Sequence, residues 1–345
     1  MTDFYEKTPA EQAESLGNLA LAALPTWGVS DNAKVGLIKH RENAVFSVED
    51  GCSRFALRIH RADYHTDREL ASELQWIAAI NSDELRTPQV IPTKNGESFT
   101  RVRVNDVPEE RQVDLLEWFE GEPIATVEEG VTDASSVRDT FGTVGRLMAT
   151  THRHSQDWEL PAGFERHAWD ENGILGDAPF WGCYWKLPGL NDEQRARLEE
   201  ARQKALVELA AFGKSPDRYG LIHGDFLPEN LLKSNDGICL IDFDDAGFGW
   251  HLFDIATTLF FHLGESYFDD ACNALLEGYR SKRELSDDHL ALLPLFFLLR
   301  GFTYLGWAYT RSETETAREM TPMIISGVDE MAKEYLSADE GGKEE

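Results

Sequence analysis

Residues 231–242 constrain this chain most. Two apolar runs, 231–233 and 238–242, flank Asn235-Asp236-Gly237, a tight-turn signal in which glycine supplies the left-handed position. A hairpin centred on Asp236 sets Asn230 opposite Asp242, within one residue of slip. An amide oxygen and a carboxylate then lie side by side, with Asp225 just upstream on a loop. Oxygen donors of this kind suit a hard cation such as Mg2+, which completes its shell with phosphates and water.

The segment leading into the hairpin reads Leu221-Ile222-His223-Gly224-Asp225-Phe226-Leu227-Pro228-Glu229-Asn230. Asp225-x-x-x-x-Asn230 is the spacing of a kinase catalytic loop. There the aspartate accepts a proton from the attacking hydroxyl, the asparagine holds magnesium, and a downstream aspartate holds the metal that bridges the phosphates. Apolar strands enclose these polar residues, and carboxylates left unpaired in such a setting are costly.

The rest of the chain divides by pattern. Thr8 and Glu11 form a capping box for a helix that Pro25 stops. Period-two strands follow over 35–38, 44–48 and 54–59, then a helix over 67–80 with Thr66 and Glu69 as a second capping box. Further strands are expected over 89–92, 99–104 and 113–118. Beyond Gly121 the pattern is helical, over 136–154, 192–212, 265–280, 287–311 and 317–336, broken by one β-rich patch at 220–245. The charged end, 337–345, reads as a disordered tail.

At 345 residues the chain is long enough for two domains. Its net charge of −29 repels phosphate backbones and anionic lipid heads, so neither nucleic acid nor membrane is an expected partner. Residues 1–119 carry 13 basic and 20 acidic side chains, while 120–345 carry 20 and 42, so most of the acidity lies in the second part. Four scattered cysteines with no CxxC pair, and an N-terminus with no basic and apolar leader, indicate a reduced, cytoplasmic protein.

The motifs resemble a known family. His223-Gly224-Asp225, Asn230 and Ile241-Asp242-Phe243-Asp244 look like the signature of the aminoglycoside phosphotransferase and choline kinase superfamily. Phe253-Asp254-Ile255-Ala256 looks like its following aspartate motif, which supports the catalytic loop. Glu42-Asn43-Ala44-Val45-Phe46, Leu57-Arg58-Ile59-His60-Arg61, Ser72-Glu73-Leu74 and Leu116-Glu117-Trp118-Phe119-Glu120-Gly121 are similar to its N-lobe. Trp169-Asp170 through Trp181-Gly182 is similar to the branch with bacterial stress-response kinases and kinase-fold homoserine kinases.

The resemblance implies an α+β, protein-kinase-like fold of two lobes. Residues 1–119 would be a β-rich, nucleotide-binding N-lobe, and 120–336 a mainly helical, catalytic and acceptor-binding C-lobe. It implies transfer of the ATP γ-phosphate, with Mg2+, to a small-molecule hydroxyl acceptor. Asp225 would be catalytic, and Asn230 and Asp242 metal ligands. No G-x-G-x-x-G loop occurs near 36–48, so phosphate cover falls to the turn at 40–44, with Asn43 the best donor. Arg58 stands where the strand lysine is expected and keeps its charge with a different geometry. Its partner glutamate is Glu73 rather than Glu69, which the capping box already explains. Adenine would meet backbone groups of Glu117, Trp118 and Phe119.

Two other readings are a protein Ser/Thr kinase of the stress-response type and a non-catalytic nucleotide-binding module. Only eleven residues separate Asp242 from Asp254 and no Ala-Pro-Glu follows, so a long peptide-binding activation segment does not fit. The module reading is disfavoured because Asp225, Asn230 and Asp242 are all present. The acidity of the second part, with Asp244, Asp245 and Glu265 as candidate acceptor-site carboxylates and Trp181 and Trp185 as candidate cation–π walls, favours an acceptor bearing an amine.

Overall fold

The computed structural model describes residues 4–40, 43–82, 84–125, 134–235 and 237–338. In chain order it forms α1 (Pro9–Ala23), β1 (Lys34–His40), β2 (Ala44–Asp50), β3 (Ser53–Ile59), α2 (Asp67–Ala79), β4 (Phe99–Val102), β5 (Arg111–Glu117) and β6 (Glu122–Pro123). Next come α3 (Ala134–Asp157), β7 (Ala168–Trp169), α4 (Glu171–Leu175), α5 (Asp192–Phe212), β8 (Tyr219–Ile222), β9 (Leu231–Ser234), β10 (Gly237–Leu240) and β11 (Gly247–Trp250). The chain finishes with α6 (His251–Leu259), α7 (Phe268–Arg280), α8 (Asp287–Leu290), α9 (Leu293–Thr310) and α10 (Glu315–Ser337). The class is α+β, as expected.

The described residues divide into two compact units. The first is drawn from Met1–Glu122, Leu160–Arg166 and Leu231–Ile241, the second from Pro123–Glu159, His167–Asn230 and Asp242–Glu345.

The first unit is built on an antiparallel sheet of order β1-β2-β3-β5-β4. Alternation in β2 sends Ala44, Phe46 and Val48 inward against Leu16, Leu19 and Ala20 of α1, with Leu57, Ile59, Val113 and Leu115 completing that core. Both expected capping boxes form, Thr8 with Glu11 and Thr66 with Glu69. The strand expected over 89–92 reduces to a single bridge between Val90 and Leu116. Pro88 and Pro92 bracket it and lack the N–H groups a longer ladder needs. The hairpin of β9 and β10 pairs Ser234 with Gly237 and Leu231 with Leu240. The pairing is one residue out of the expected register, which set Asn230 opposite Asp242, and Asp236 lies outside the described residues.

In the second unit β7, β11 and β8 form a small sheet, of which the glycine-rich β11 was not expected. Helices α3 and α7 approach closely through glycines. A Cβ on Gly145 would lie 2.0 Å from the Leu275 carbonyl oxygen, and one on Gly278 would lie 2.2 Å from that of Gly142. The helix expected over 287–311 is two, α8 and α9, because Pro294 belongs in a first turn, where its missing N–H costs nothing. The helix expected from 265 starts at Phe268. Ser337, the first residue of the expected tail, is the last of α10, and 339–345 lie outside the described residues. Among the described residues no helix is long and apolar enough to cross a membrane.

Candidate active site

In the first unit, strand register sets Arg58 of β3 directly opposite Asp114 of β5. Nε and Nη2 of Arg58 donate to the two Asp114 oxygens at 2.9 and 2.8 Å, and Nη1 donates to Glu73 Oε1 at 2.9 Å. His60 shares a face with Arg58, two residues on, and its Nε2 lies 2.7 Å from Asp114 Oδ2. Arg166 donates to the other Glu73 oxygen at 3.3 Å and to the Glu69 carbonyl at 3.1 Å. All five side chains are buried, a state that charges keep only when paired. Burial alone would lift the Asp114 carboxyl, but Arg58 and His60 hold it below the usual range.

The other expected nucleotide residues belong to the same unit. Asn43 Oδ1 accepts the Arg61 N–H at 3.0 Å, which ties the start of β2 to the end of β3. Residues 41 and 42, in the turn expected to cover phosphate, lie outside the described residues. The Glu117 N–H donates to the Gln89 carbonyl at 2.8 Å and the Trp118 N–H to that of Arg54 at 3.2 Å. The Arg54 guanidinium covers the Trp118 indole at 3.8 Å.

The second unit carries the string expected to be catalytic, His223 to Asn230 with Asp242. Gly224 has φ +77°, and a Cβ there would lie 2.4 Å from the Asp245 carbonyl oxygen, so only glycine fits. Asn230 Nδ2 donates to the Asp225 carbonyl at 2.9 Å and to its Oδ2 at 3.0 Å. On the other side Arg300 Nη2 donates to Asp225 Oδ1 at 3.3 Å, and Nη1 to the Gly224 carbonyl at 3.1 Å. The Asp225 side chain is recessed but still 24% exposed. Burial lifts its carboxyl to about 7. Asp245 and Asp242 push the same way, while Arg300 and Asn230 oppose. A base poised near neutrality is suited to proton transfer.

A buried network holds this loop from beneath. Asp254 accepts the N–H of Gly224 at 2.8 Å and of His223 at 3.0 Å. His152 Nε2 lies 3.0 Å from Asp254 Oδ2, and its Nδ1 lies 2.9 Å from the Tyr279 hydroxyl. Arg283 donates to that hydroxyl at 3.1 Å. Burial holds His152 well below its ordinary range, so it is neutral. It stacks on His251, which burial depresses likewise.

The candidate acceptor residues separate. Asp245 Oδ1 accepts the Trp181 indole N–H at 3.3 Å, and Trp181 lies 6.0 Å from the Tyr304 ring. Asp244 is buried beside it in sequence, 6% exposed. Trp185 instead packs against Tyr184 and Arg202, and Glu265 is exposed ahead of α7. Neither contacts Asp225 or Asp245 among the described residues. Sequence reasoning did not place Arg300, Arg166 or Asp114. For Arg300 and Asp114 the one signal was a charge inside an apolar run, as in Leu298-Leu299-Arg300-Gly301-Phe302.

The donor set fits a hard cation. Asn230 uses its nitrogen on Asp225, which leaves Oδ1 as an oxygen ligand. Asp242 presents an exposed carboxylate from a backbone at φ +66°. A neutral oxygen and a carboxylate are what Mg2+ takes from a protein.

Comparison with known proteins adds the following. The model of the phosphotransferase enzyme family matches residues 36–285. A microcompartment-associated aminopropanol kinase is 37% identical and superposes with a TM-score of 0.81, covering 93% of this chain and 98% of that one. An amicoumacin kinase solved with AMP-PNP, Ca2+ and amicoumacin superposes with a TM-score of 0.72 at 20% identity, covering 93% and 94%. The amicoumacin kinase of Bacillus subtilis is 24% identical over 318 residues, 88% of each chain.

Proposed function

The chain belongs to the phosphotransferase enzyme family, and on that premise we propose that it moves the γ-phosphate of ATP to the hydroxyl of a small, amine-bearing acceptor, an amino alcohol. The observation that carries this is Asp225, a recessed carboxylate with one oxygen oriented by Arg300 and the other by Asn230. Asp225 takes the proton of the acceptor hydroxyl and aims its oxygen. Positioning of this kind accounts for most of phosphoryl-transfer catalysis.

Asn230, through Oδ1, and Asp242 would hold Mg2+, which when bound neutralises charge on the phosphates. Asn43, Arg58 and the backbone of Glu117, Trp118 and Phe119 would hold the nucleotide, with Glu73 and Asp114 fixing the Arg58 guanidinium. The amicoumacin kinase neighbour binds an ATP analogue and a divalent cation, which supports both groups. A cytoplasmic setting, where ATP is supplied, accords with this.

The amine rests on two supports. The relative at 37% identity is an aminopropanol kinase. Asp245 places a carboxylate beside the Trp181 indole, chemistry that attracts an ammonium group. No observation brings Trp185 or Glu265 to this set, and we leave both out of the acceptor site.

The test is a coupled ADP-release assay over 1-amino-2-propanol, ethanolamine, choline, homoserine, an aminoglycoside and a neutral diol, with and without Mg2+. Magnesium-dependent turnover, with the highest kcat/KM on an amino alcohol, is expected. A neutral or anionic best acceptor would refute the amine. Background rates on every compound would favour the non-catalytic reading.

A further inference from the structure

We infer that Arg300 is a positioning residue for the catalytic aspartate, an inference that rests on the phosphotransferase reading above. Arg300 sits on α9 with its side chain 0% exposed. Its neighbours are aromatic faces, Tyr304 at 4.4 Å, Trp181 at 4.9 Å and Phe253 at 5.5 Å from the guanidinium carbon. Packing alone does not require a charge there, because well-packed apolar residues usually serve stability at least as well as buried ions. What the guanidinium adds is direction.

Its two nitrogens grip consecutive residues of the loop, the carbonyl of Gly224 and Oδ1 of Asp225. Nη2 is itself steadied by the Tyr304 hydroxyl at 3.0 Å. Asn230 grips the opposite oxygen and the Asp225 carbonyl. The carboxylate is thus held from both sides, and its plane and rotamer are set before an acceptor arrives. The loop cannot supply this cation itself, because position 224 has no room for a side chain. The arginine comes instead from a helix 75 residues further on.

A residue acting through Asp225 makes a specific kinetic prediction, read with Mg·ATP and 1-amino-2-propanol. Arg300→Met should lower kcat about 10²-fold, the effect of misplacing a reacting group by about 1 Å. KM for Mg·ATP should stay within about threefold, since the nucleotide is held elsewhere. Arg300→Lys, which keeps the charge but offers one nitrogen in place of two, should recover about tenfold of that loss. The deciding measurement is a double-mutant cycle with Asp225→Asn. Once the carboxylate is gone, Arg300→Met should cost no more than about threefold further.

A second full loss of about 10²-fold on the Asp225→Asn background would overturn the inference, because Arg300 would then act independently of Asp225. No loss in the single variant would overturn it too. Thermal melting checks the fold. If Arg300→Met does not fold, Tyr304→Phe removes only the hydroxyl that steadies Nη2, and its smaller loss should likewise vanish on the Asp225→Asn background. The wild-type rate reports separately on the proposed function. If it transfers nothing to 1-amino-2-propanol, the acceptor assignment has failed, and the same cycle is run on slow hydrolysis of Mg·ATP, where water takes the acceptor's place.

Discussion

Arg58 and Asp114 meet across β3 and β5 in a two-point pair, Nε to Oδ1 at 2.9 Å and Nη2 to Oδ2 at 2.8 Å, which a lysine cannot make. The third donor reaches Glu73, so one guanidinium bonds both a strand and α2. Removing one partner of a buried pair leaves the other charge stranded, at about 3–5 kcal/mol. Arg58→Ala should therefore lower unfolding free energy by about that much, and Arg58→Lys by less, as measured by urea denaturation. A loss under about 1 kcal/mol in the alanine variant would mean the pair behaves like an exposed one.

Asp225→Asn keeps the shape of the side chain but removes the base. Turnover should fall by about 10²–10⁴ from lost proton transfer, with more from mispositioning. Melting temperature and Mg·ATP affinity should change little. Retention of more than about a tenth of wild-type kcat would exclude Asp225 as the base.

Asp242→Ala should abolish the metal dependence of nucleotide binding, because the exposed carboxylate is the anionic member of the proposed ligand pair. Calorimetry with ATP, titrated with and without Mg2+, reads this directly. An unchanged magnesium response would remove Asp242 from the metal site.

His251 is buried beside His152 and held neutral well below the ordinary value of 6.5. Below that pH the unfolded chain takes up a proton that the folded chain refuses, so unfolding free energy falls as pH drops. Relative to His251→Gln, the wild type should lose stability progressively as pH falls through about 6.5, by at most about 1.4 kcal/mol per pH unit, and nothing well above it. Urea denaturation of both proteins between pH 7.5 and 5 is the measurement. Parallel pH profiles would show that His251 titrates alike in both states.

If the acceptor carries a cation, its KM should rise with ionic strength between about 0.02 and 0.3 M, since salt screens attraction to the acidic side chains. Steady-state kinetics on the best acceptor from the ADP-release screen supplies the comparison. A salt-insensitive KM would make the acidity of the second unit a matter of solvation.

The elements that carry Asp225, Asn230 and Asp242 were readable because their signals are local. A turn dipeptide, a spacing of five and two short apolar runs lie within one short stretch. Glu73 could be separated from Glu69 for the same reason, since the capping box at Thr66 already engages the nearer glutamate. The partners that hold these groups were not readable. Asp114 lies 56 residues from Arg58, and Arg166 lies 93 from Glu73. A pairing over such distances is decided by strand register and helix packing, which single-sequence periodicity does not encode. Trp185 illustrates the converse, because nearness in sequence to Trp181 did not bring it to Asp245.

The guanidinium that steadies Asp225 is encoded 75 residues after it. At ribosomal speeds of about 5–20 residues per second, the carboxylate is therefore synthesised about 4–15 s before its partner exists. From the synthesis of Asp254 until Arg300 follows 46 residues later, the nascent chain carries the whole motif from His223 to Asp254 without the cation that aims it. Competence for transfer thus waits on the arrival of α9 from the exit tunnel, and a message truncated before that helix would yield a chain with every signature residue and an unaimed base.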